Sequence, residues 1–338
     1  MERKKVGAKK EPAKDHQISI AQELHVDVDL RRLHESCAQL SEEIIPFMKR
    51  VKIELIRTKE GEMKDVPQVP LFIYEKLPLH DSKLLFSVVL PPYPYLRVIQ
   101  LHHCELADDG VLSLVEFLKA YKPSTEKNPF GIECLELPGC NIGPRGASYL
   151  ASVFCENFTI KRLMLDFNPI GDKGIEALCN GLRWNTKLTD LSLQYCEISY
   201  SGAPFIAASV IECSNVKILS LRGNYSLQDS GVLYLARALN VGLRLEELDL
   251  ADVGFGSSAE TIDALCEGIE NSASLISVNL DLNTLIPSGP QSLLIAITNN
   301  KRIVKLVVSE RVDPDVYKEI LDALSVNNKG MKRKVKKR

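Results

Sequence analysis

The strongest constraint on the fold is a change of hydrophobic period within one short stretch, residues 160–182. Leu163 and Leu165 lie two residues apart, as in a strand, whereas from Ile175 onward the apolar residues recur at the three-to-four spacing of a helix. Between the two halves come residues that favour turns, Asn168 among them. The stretch therefore predicts a strand, a tight turn and a helix.

This unit recurs along the chain, and aligning it on the second strand leucine defines one anchor residue per unit. The eight anchors are Leu101, Leu137, Leu165, Leu193, Leu221, Leu250, Leu280 and Val308. Three residues after an anchor comes a small or hydrogen-bonding side chain, at Cys104, Cys140, Asn168, Cys196, Asn224, Val253 and Asn283, with Arg311 in the last unit. A repeat of about 28 residues with this pattern predicts a leucine-rich repeat solenoid.

The chain resembles the ribonuclease-inhibitor-like class of leucine-rich repeat proteins, and the resemblance is carried by IECLELPGCNIGPRGASYLA, IKRLMLDFNPIGDKGIEALC and LTDLSLQYCEISYSGAPFIA. It implies an α/β horseshoe with a parallel sheet on the concave face and helices on the convex face. The class includes nuclease inhibitors, the Ran GTPase-activating protein, actin-capping and immune-receptor modules, and ciliary scaffolds. Fold alone therefore does not select a function.

Four segments are predicted from the repeat pattern and the charge. They are a disordered basic tail (1–14), an N-terminal cap with a degenerate repeat (15–95), the repeats with a C-terminal capping helix (96–328), and a second disordered basic tail (329–338). The cap contains helical spacing over 28–48 and 80–90, and the first repeat carries an insert at 119–131.

Charge is distributed unevenly. The two tails carry net +4 and +7, which leaves residues 15–328 at −13. The tails are expected to be solvated, to contact nucleic acid or an acidic protein surface, or to fold back onto the acidic body. The sequence KRKVKKR also resembles a nuclear-localisation signal. No apolar run approaches the length of a membrane helix, so we expect a cytoplasmic protein without a membrane partner.

Enzymatic motifs are missing from the sequence: it has no Gly-rich phosphate loop, GxSxG or HExxH. The cysteines lack CxxC spacing, and His102, His103 and Cys104 are adjacent strand residues that point to opposite faces. We therefore predict no catalytic residue, no cofactor, no metal and no small-molecule substrate.

A partner is expected on the concave face, because residues between the strand leucines point out of the sheet. The predicted partner-binding residues are Arg162, Met164, Asp166, Phe167, Gln194, Tyr195, Arg222, Glu247, Asp249, Asp252 and Asp281. They combine types that are enriched at binding hot spots with an acidic stripe, which favours a partner of basic character.

Two functions are carried forward. The first is a non-enzymatic scaffold or adaptor that binds a protein on the concave face, in a cytoskeletal or ciliary assembly. The second is a GTPase regulator, suggested by the resemblance of LDFNPIGDKGIEAL to the Ran GTPase-activating protein.

Overall fold

A computed structural model describes residues 70–74, 77–91, 96–121, 131–155, 159–183, 185–212, 215–241, 244–309 and 311–335. The helix predicted over 28–48, the N-terminal tail and most of the insert lie outside these residues.

Over the described residues, the architecture is one parallel sheet of nine strands whose spatial order follows the sequence. The strands are β1 (Leu71–Tyr74), β2 (Val98–His102), β3 (Cys134–Glu136), β4 (Arg162–Met164), β5 (Asp190–Ser192), β6 (Ile218–Ser220), β7 (Glu247–Asp249), β8 (Ser277–Asn279) and β9 (Lys305–Val307). The side chains of the repeat anchors are at most 4% exposed. The predicted leucine-rich repeat solenoid is thus confirmed.

A helix follows each strand and packs on the sheet. The helices are α1 (Leu79–Leu84), α2 (Ala107–Ala120), α3 (Pro144–Phe154), α4 (Gly171–Leu182), α5 (Ala203–Ile206), α6 (Gln228–Leu239), α7 (Ala259–Asn271), α8 (Gly289–Asn299) and α9 (Pro314–Val335). Helices α1 and α5 continue as π-helical turns at Leu85–Val89 and Ala207–Glu212, and a 3₁₀ turn at Tyr225–Leu227 precedes α6.

The side chain three residues after an anchor ties adjacent repeats together. Asn168 is 1% exposed; its Nδ2 donates to the Leu137 and Leu165 carbonyls, both at 2.8 Å, and its Oδ1 accepts from Ile142 N at 3.0 Å. Asn224 and Asn283 repeat this geometry, and the cysteines donate through sulfur to the preceding strand. These bonds satisfy the buried backbone groups that the turn leaves unpaired.

Two further buried amides, of Asn300 and Asn327, form hydrogen bonds at the helical side of the last repeats. Asn300 Nδ2 donates to the Ile269 carbonyl at 2.7 Å, and Asn327 Nδ2 donates to the Ile297 and Ile303 carbonyls, both at 2.9 Å. Asn327 lies on α9, so it fastens the last helix to the last repeat.

The structure departs from the predictions at both ends. Strand β1 lies in the region predicted as a cap with a degenerate repeat, and Ile73 pairs with the anchor Leu101, so the array includes at least one unit before the first anchor. Helix α9 runs on to Val335, through part of the segment predicted to be disordered. The prediction of disorder is wrong over 329–335, because an established helix extends readily through Lys, Arg and Met, and basic residues favour a helix C-terminus.

Candidate partner-binding face

The concave face is built from two rows of side chains that run across the strands in register. One row is Cys134, Arg162, Asp190, Ile218, Glu247, Ser277 and Lys305. The other is Gln100, Glu136, Met164, Ser192, Ser220, Asp249, Asn279 and Val307. Neighbours within a row are about 4.8 Å apart. The structure thus places Arg162 beside Asp190, and Glu247 one row from Asp249.

Two aromatic rings stack at the edge of this face, where β4 and β5 end. The ring centroids of Phe167 and Tyr195 are 4.9 Å apart and their planes differ by 8°. Phe167 is 53% exposed and Tyr195 is 36% exposed. Stacked rings with this much free surface form a flat, apolar contact area at the middle of the solenoid.

Two residues after each anchor, the backbone is left-handed in every described turn from the one after β2 to the one after β8. The residues two positions after the anchors are His103, Gly139, Phe167, Tyr195, Gly223, Asp252 and Leu282, all with positive φ. Phe167 N and Tyr195 N donate to the Gln194 and Arg222 carbonyls of the next repeat at 2.8 and 2.9 Å. These bonds impose a conformation that costs a bulky residue about 1 kcal/mol.

Glycine at position 223 makes room for the aromatic pair. A Cβ atom at Gly223 would contact the ring of Tyr195, which therefore lies over the next repeat. Arg222 directly precedes Gly223 in the same turn, and a hydrogen bond with Tyr195 is the main cause that raises the pKa of Arg222. The carboxylates of Asp249 and Asp281 act on Arg222 in the same direction. Arg222 thus lies between the aromatic pair and the acidic stripe.

The predicted acidic stripe of Glu247, Asp249, Asp252 and Asp281 is reachable on the face. Glu247 is exposed, and Asp249, Asp252 and Asp281 are partly exposed. Asp166, in contrast, is only 5% exposed and accepts from Ser192 Oγ at 2.6 Å and Gln194 N at 2.9 Å.

The expected outward exposure of Asp166 is therefore wrong, because groups from the next strand converge on its carboxylate. Burial raises the pKa of Asp166, while the two hydrogen bonds oppose that shift. The geometry makes Asp166 a support for Gln194 and for the turn that carries Tyr195.

A polar cluster at the N-terminal half of the face was not predicted. Glu136 is 6% exposed, and its carboxylate accepts from Gln100 Nε2 at 2.6 Å and Cys134 Sγ at 3.2 Å. His102 Nε2 lies 3.7 Å and Arg162 Nη1 lies 4.0 Å from the same carboxylate. Burial raises the pKa of Cys134 to about 12, so this thiol is a poor nucleophile. Strand alternation places these residues on one face, but only the curvature and register of the sheet bury Glu136.

Within the described ranges, no group of three or more His, Cys, Asp or Glu side chains has an arrangement that could hold a metal ion. None of the helices in those ranges has the length and apolar character needed to cross a bilayer. A cavity of about 440 Å³ lies away from the concave rows, between the turn after β8 and the start of α9, and is lined by residues such as Leu285, Ile286 and Val312.

Comparison with known proteins agrees with this architecture. A model described as Leucine Rich repeat matches residues 132–151, 156–179 and 185–207. The ribonuclease inhibitor of Mus musculus is 29% identical over 224 residues, covering 64% of this chain and 47% of the inhibitor. NACHT, LRR and PYD domains-containing protein 13 of Homo sapiens is 30% identical over 203 residues, covering 60% of this chain and 18% of that protein. The chain thus spans less than half the length of either relative.

Among solved structures, the tropomodulin C-terminal domain of Caenorhabditis elegans matches at 13% identity and a TM-score of 0.37, covering 57% of this chain and 99% of that domain. A similarity this low bears on neither partner nor function. The repeat spacing, the nine-stranded sheet and the sequence relatives agree with one another. The chain therefore has the leucine-rich repeat solenoid fold, and its sequence is similar to those of ribonuclease inhibitors and of NACHT, LRR and PYD domains-containing proteins.

Proposed function

We propose that this protein is a non-enzymatic adaptor that binds a partner protein on its concave face, with the stacked rings of Phe167 and Tyr195 at the centre of the contact. The observation that carries the proposal is the combination of exposure and strain at these rings. Two large apolar side chains occupy left-handed backbone positions that favour glycine, and neither ring is buried in the core.

The physical gain from binding is the removal of the ring surfaces from water. Fully covering an aromatic side chain contributes about 1.5 to 3 kcal/mol, and rigid stacked rings lose little conformational entropy when they are covered. The pair alone can therefore account for more than a tenfold change in affinity. Arg222 interacts with Tyr195, and Met164 and Gln194 belong to the same two repeats as the rings, so apolar and polar side chains are available together.

The charge on the C-terminal side of the pair favours a partner of basic character. The carboxylates of Glu247, Asp249, Asp252 and Asp281 outnumber the nearby cations Arg222 and Lys305. A partner segment with an apolar residue beside lysine or arginine would cover the rings and neutralise this stripe. Long-range attraction of this kind mainly raises the association rate and weakens with salt.

The test is quantitative affinity purification with mass spectrometry, using the intact protein and a Phe167→Ser/Tyr195→Ser variant. The matched control is Tyr200→Ser/Tyr234→Ser, because those side chains are 54% and 49% exposed but lie outside the strand rows. We expect a specific partner to be lost with the first variant and retained with the control, and circular dichroism should show both variants folded.

A third variant, Lys329→Glu/Lys332→Glu, examines the basic end of helix α9. Loss of the partner with this variant alone would show that attachment is through the basic helix and would refute the concave-face proposal. Retention of every partner by the aromatic variant would refute it as well.

The alternative of a GTPase regulator stays a prediction from the sequence resemblance. A GTP-hydrolysis assay with a small GTPase separates the two, since an adaptor leaves the hydrolysis rate unchanged. The cytoskeletal or ciliary setting is part of the adaptor proposal and is checked by imaging a tagged protein together with the partner that the purification identifies.

A further inference from the structure

One buried side chain per repeat fills the turn of the repeat before it. This side chain, the plug, is the residue three positions after an anchor. Seven plugs are at most 2% exposed: Cys104, Cys140, Asn168, Cys196, Asn224, Val253 and Asn283. In the last unit Arg311 takes this position and is exposed. Because burying an unpaired guanidinium is costly, the turn after β8 receives no plug.

The cavity of about 440 Å³ lies at this same turn, between the end of β8 and the start of α9. Its lining includes Asn283 and Leu285, three and five residues after their anchor. At the equivalent positions of an earlier repeat, the amides of Cys196 and Ile198 donate to the plug Asn224 Oδ1 at 2.9 and 3.1 Å. The cavity therefore includes the place that an eighth plug would fill.

One backbone donor at the cavity differs from its equivalents. The amide five residues after an anchor is paired at Leu106, Ile142, Ile170 and Ile198, with the next plug or with a carbonyl of its own turn, at 2.8 to 3.1 Å. Among the described residues, the equivalent amide of Leu285 has no hydrogen-bond partner. This amide is free to donate to an acceptor that enters the cavity.

The charged side chains favour an acceptor that is anionic. Arg311 lines the cavity, and its guanidinium forms no ion pair with a described residue. Asp313 lines it too, but its Oδ1 accepts from Asp315 N at 2.9 Å and Val316 N at 3.3 Å, so this carboxylate caps α9. A ligand carboxylate can accept from both the Leu285 amide and the guanidinium, and charge-assisted bonds of this kind are the stronger ones.

The remaining walls of the cavity are mainly apolar. Leu285 and Ile286 come from the turn after β8, and Val312 and Val316 come from the start of α9. All four are partly exposed. The last residue of a polypeptide carries a carboxylate and a side chain on one Cα atom, so a single apolar residue can meet the donors and these walls together. An aspartate side chain would supply only the charge.

We propose that this cavity binds the C-terminus of a partner polypeptide that ends in an apolar residue. The terminal carboxylate accepts from Leu285 N and from Arg311, as in other sites that capture a chain end with backbone amides. The last side chain packs between Ile286 and Val312. The preceding residues of the partner leave the cavity past Thr284, which is exposed. The site lies away from the concave rows and does not depend on the adaptor proposal.

The probe is a labelled synthetic hexapeptide that ends in leucine with a free carboxylate, and binding to the intact protein is measured by fluorescence anisotropy. The same peptide with an amidated C-terminus should bind at least about tenfold more weakly, because it lacks the charge that pairs with Arg311. A peptide that ends in serine should also bind about tenfold more weakly, since it leaves the apolar walls uncovered.

Two substitutions at one position examine the protein side. Arg311→Gln should weaken binding of the free-acid peptide about tenfold, whereas the matched control Arg302→Gln, at an exposed position outside the cavity, should change it by less than about twofold. Arg311→Asn supplies the missing plug and should abolish binding while raising the midpoint of thermal unfolding, because its amide can accept from Leu285 N. Asp313→Asn keeps a helix cap, removes the opposing charge and should tighten binding.

Three results would overturn the inference. One is equal affinity for the free-acid and amidated peptides. Another is an equal loss of affinity in Arg311→Gln and Arg302→Gln, which would show non-specific attraction. The third is free octanoate that binds as tightly as the peptide, because the ligand would then be a small apolar acid. Phe167→Ser/Tyr195→Ser should bind the peptide like the intact protein, so failure of the adaptor proposal is read separately.

Discussion

Phe167 and Asn168 are adjacent in one turn, yet they serve opposite sides of the molecule. Asn168 is 1% exposed and joins two repeats through hydrogen bonds, whereas Phe167 is 53% exposed and its ring contacts Tyr195 on the surface. The inner residue satisfies backbone groups that have no other partner. The outer residue occupies a strained conformation that glycine would adopt more easily. Stability and binding are thus assigned to consecutive positions of the same turn, which makes them separable by substitution.

The largest expected effect on stability comes from Asn168, the inner residue of the turn. Asn168→Ala should lower the free energy of unfolding by about 3 kcal/mol, because it leaves buried carbonyl and amide groups unpaired. Denaturant unfolding measures this. The control is Asn180→Ala on the exposed face of α4, which should change stability by less than about 0.5 kcal/mol. An equal, small effect in both variants would contradict the role assigned to the inner residue.

The second prediction applies the same reasoning to Asn327, a buried amide at the end of the array. Asn327→Ala should cost about 2 kcal/mol and release α9, because Asn327 holds the carbonyls of Ile297 and Ile303. Hydrogen exchange should show lost protection in 314–335 with little change in the helices of the central repeats. A uniform loss of protection would mean that the last helix is not a separable cap.

The third prediction concerns Phe167, the outer residue of the turn, and expects the free energy of unfolding to stay the same or rise. Phe167→Gly should leave the protein as stable as before or more stable by up to about 1 kcal/mol, since glycine relieves the left-handed strain. The same variant should weaken binding of the concave-face partner. Calorimetric unfolding and partner affinity are measured together. A marked destabilisation would show that the ring supports the fold.

The smallest expected effect is a pH dependence at Asp166. Its pKa is raised by burial, so protonation favours the folded state and its contribution to stability is lost as pH rises through the raised folded pKa. Asp166→Asn should therefore gain stability relative to the intact protein as pH rises from about 4 toward neutral. Both hydrogen bonds reach Oδ1, an atom that Asn retains. Parallel stability curves across this range would contradict the assignment.

Much of the solenoid could be predicted from local pattern alone. The spacing of Leu163 and Leu165 specifies a strand, and Asn168 specifies the hydrogen bonds within its own turn, because both depend on residues close in sequence. Strand β1 escaped prediction because Leu71 and Ile73 form only a brief alternation, and its pairing with β2 crosses a non-repetitive segment. The helical extension to Val335 was missed because a run of like charge was given more weight than helix propensity.

At the candidate sites, too, some features follow from the sequence and others only from the tertiary structure. The sequence by itself determined which residues point out of the strands, since alternation is a property of the chain. Only the tertiary structure decided that Asp166 and Glu136 are buried, that the rings of Phe167 and Tyr195 stack, and that a cavity lies between the turn after β8 and the start of α9. The physical reason is that burial, stacking and the filling of a turn depend on the residues that the neighbouring repeat supplies, about 28 positions away.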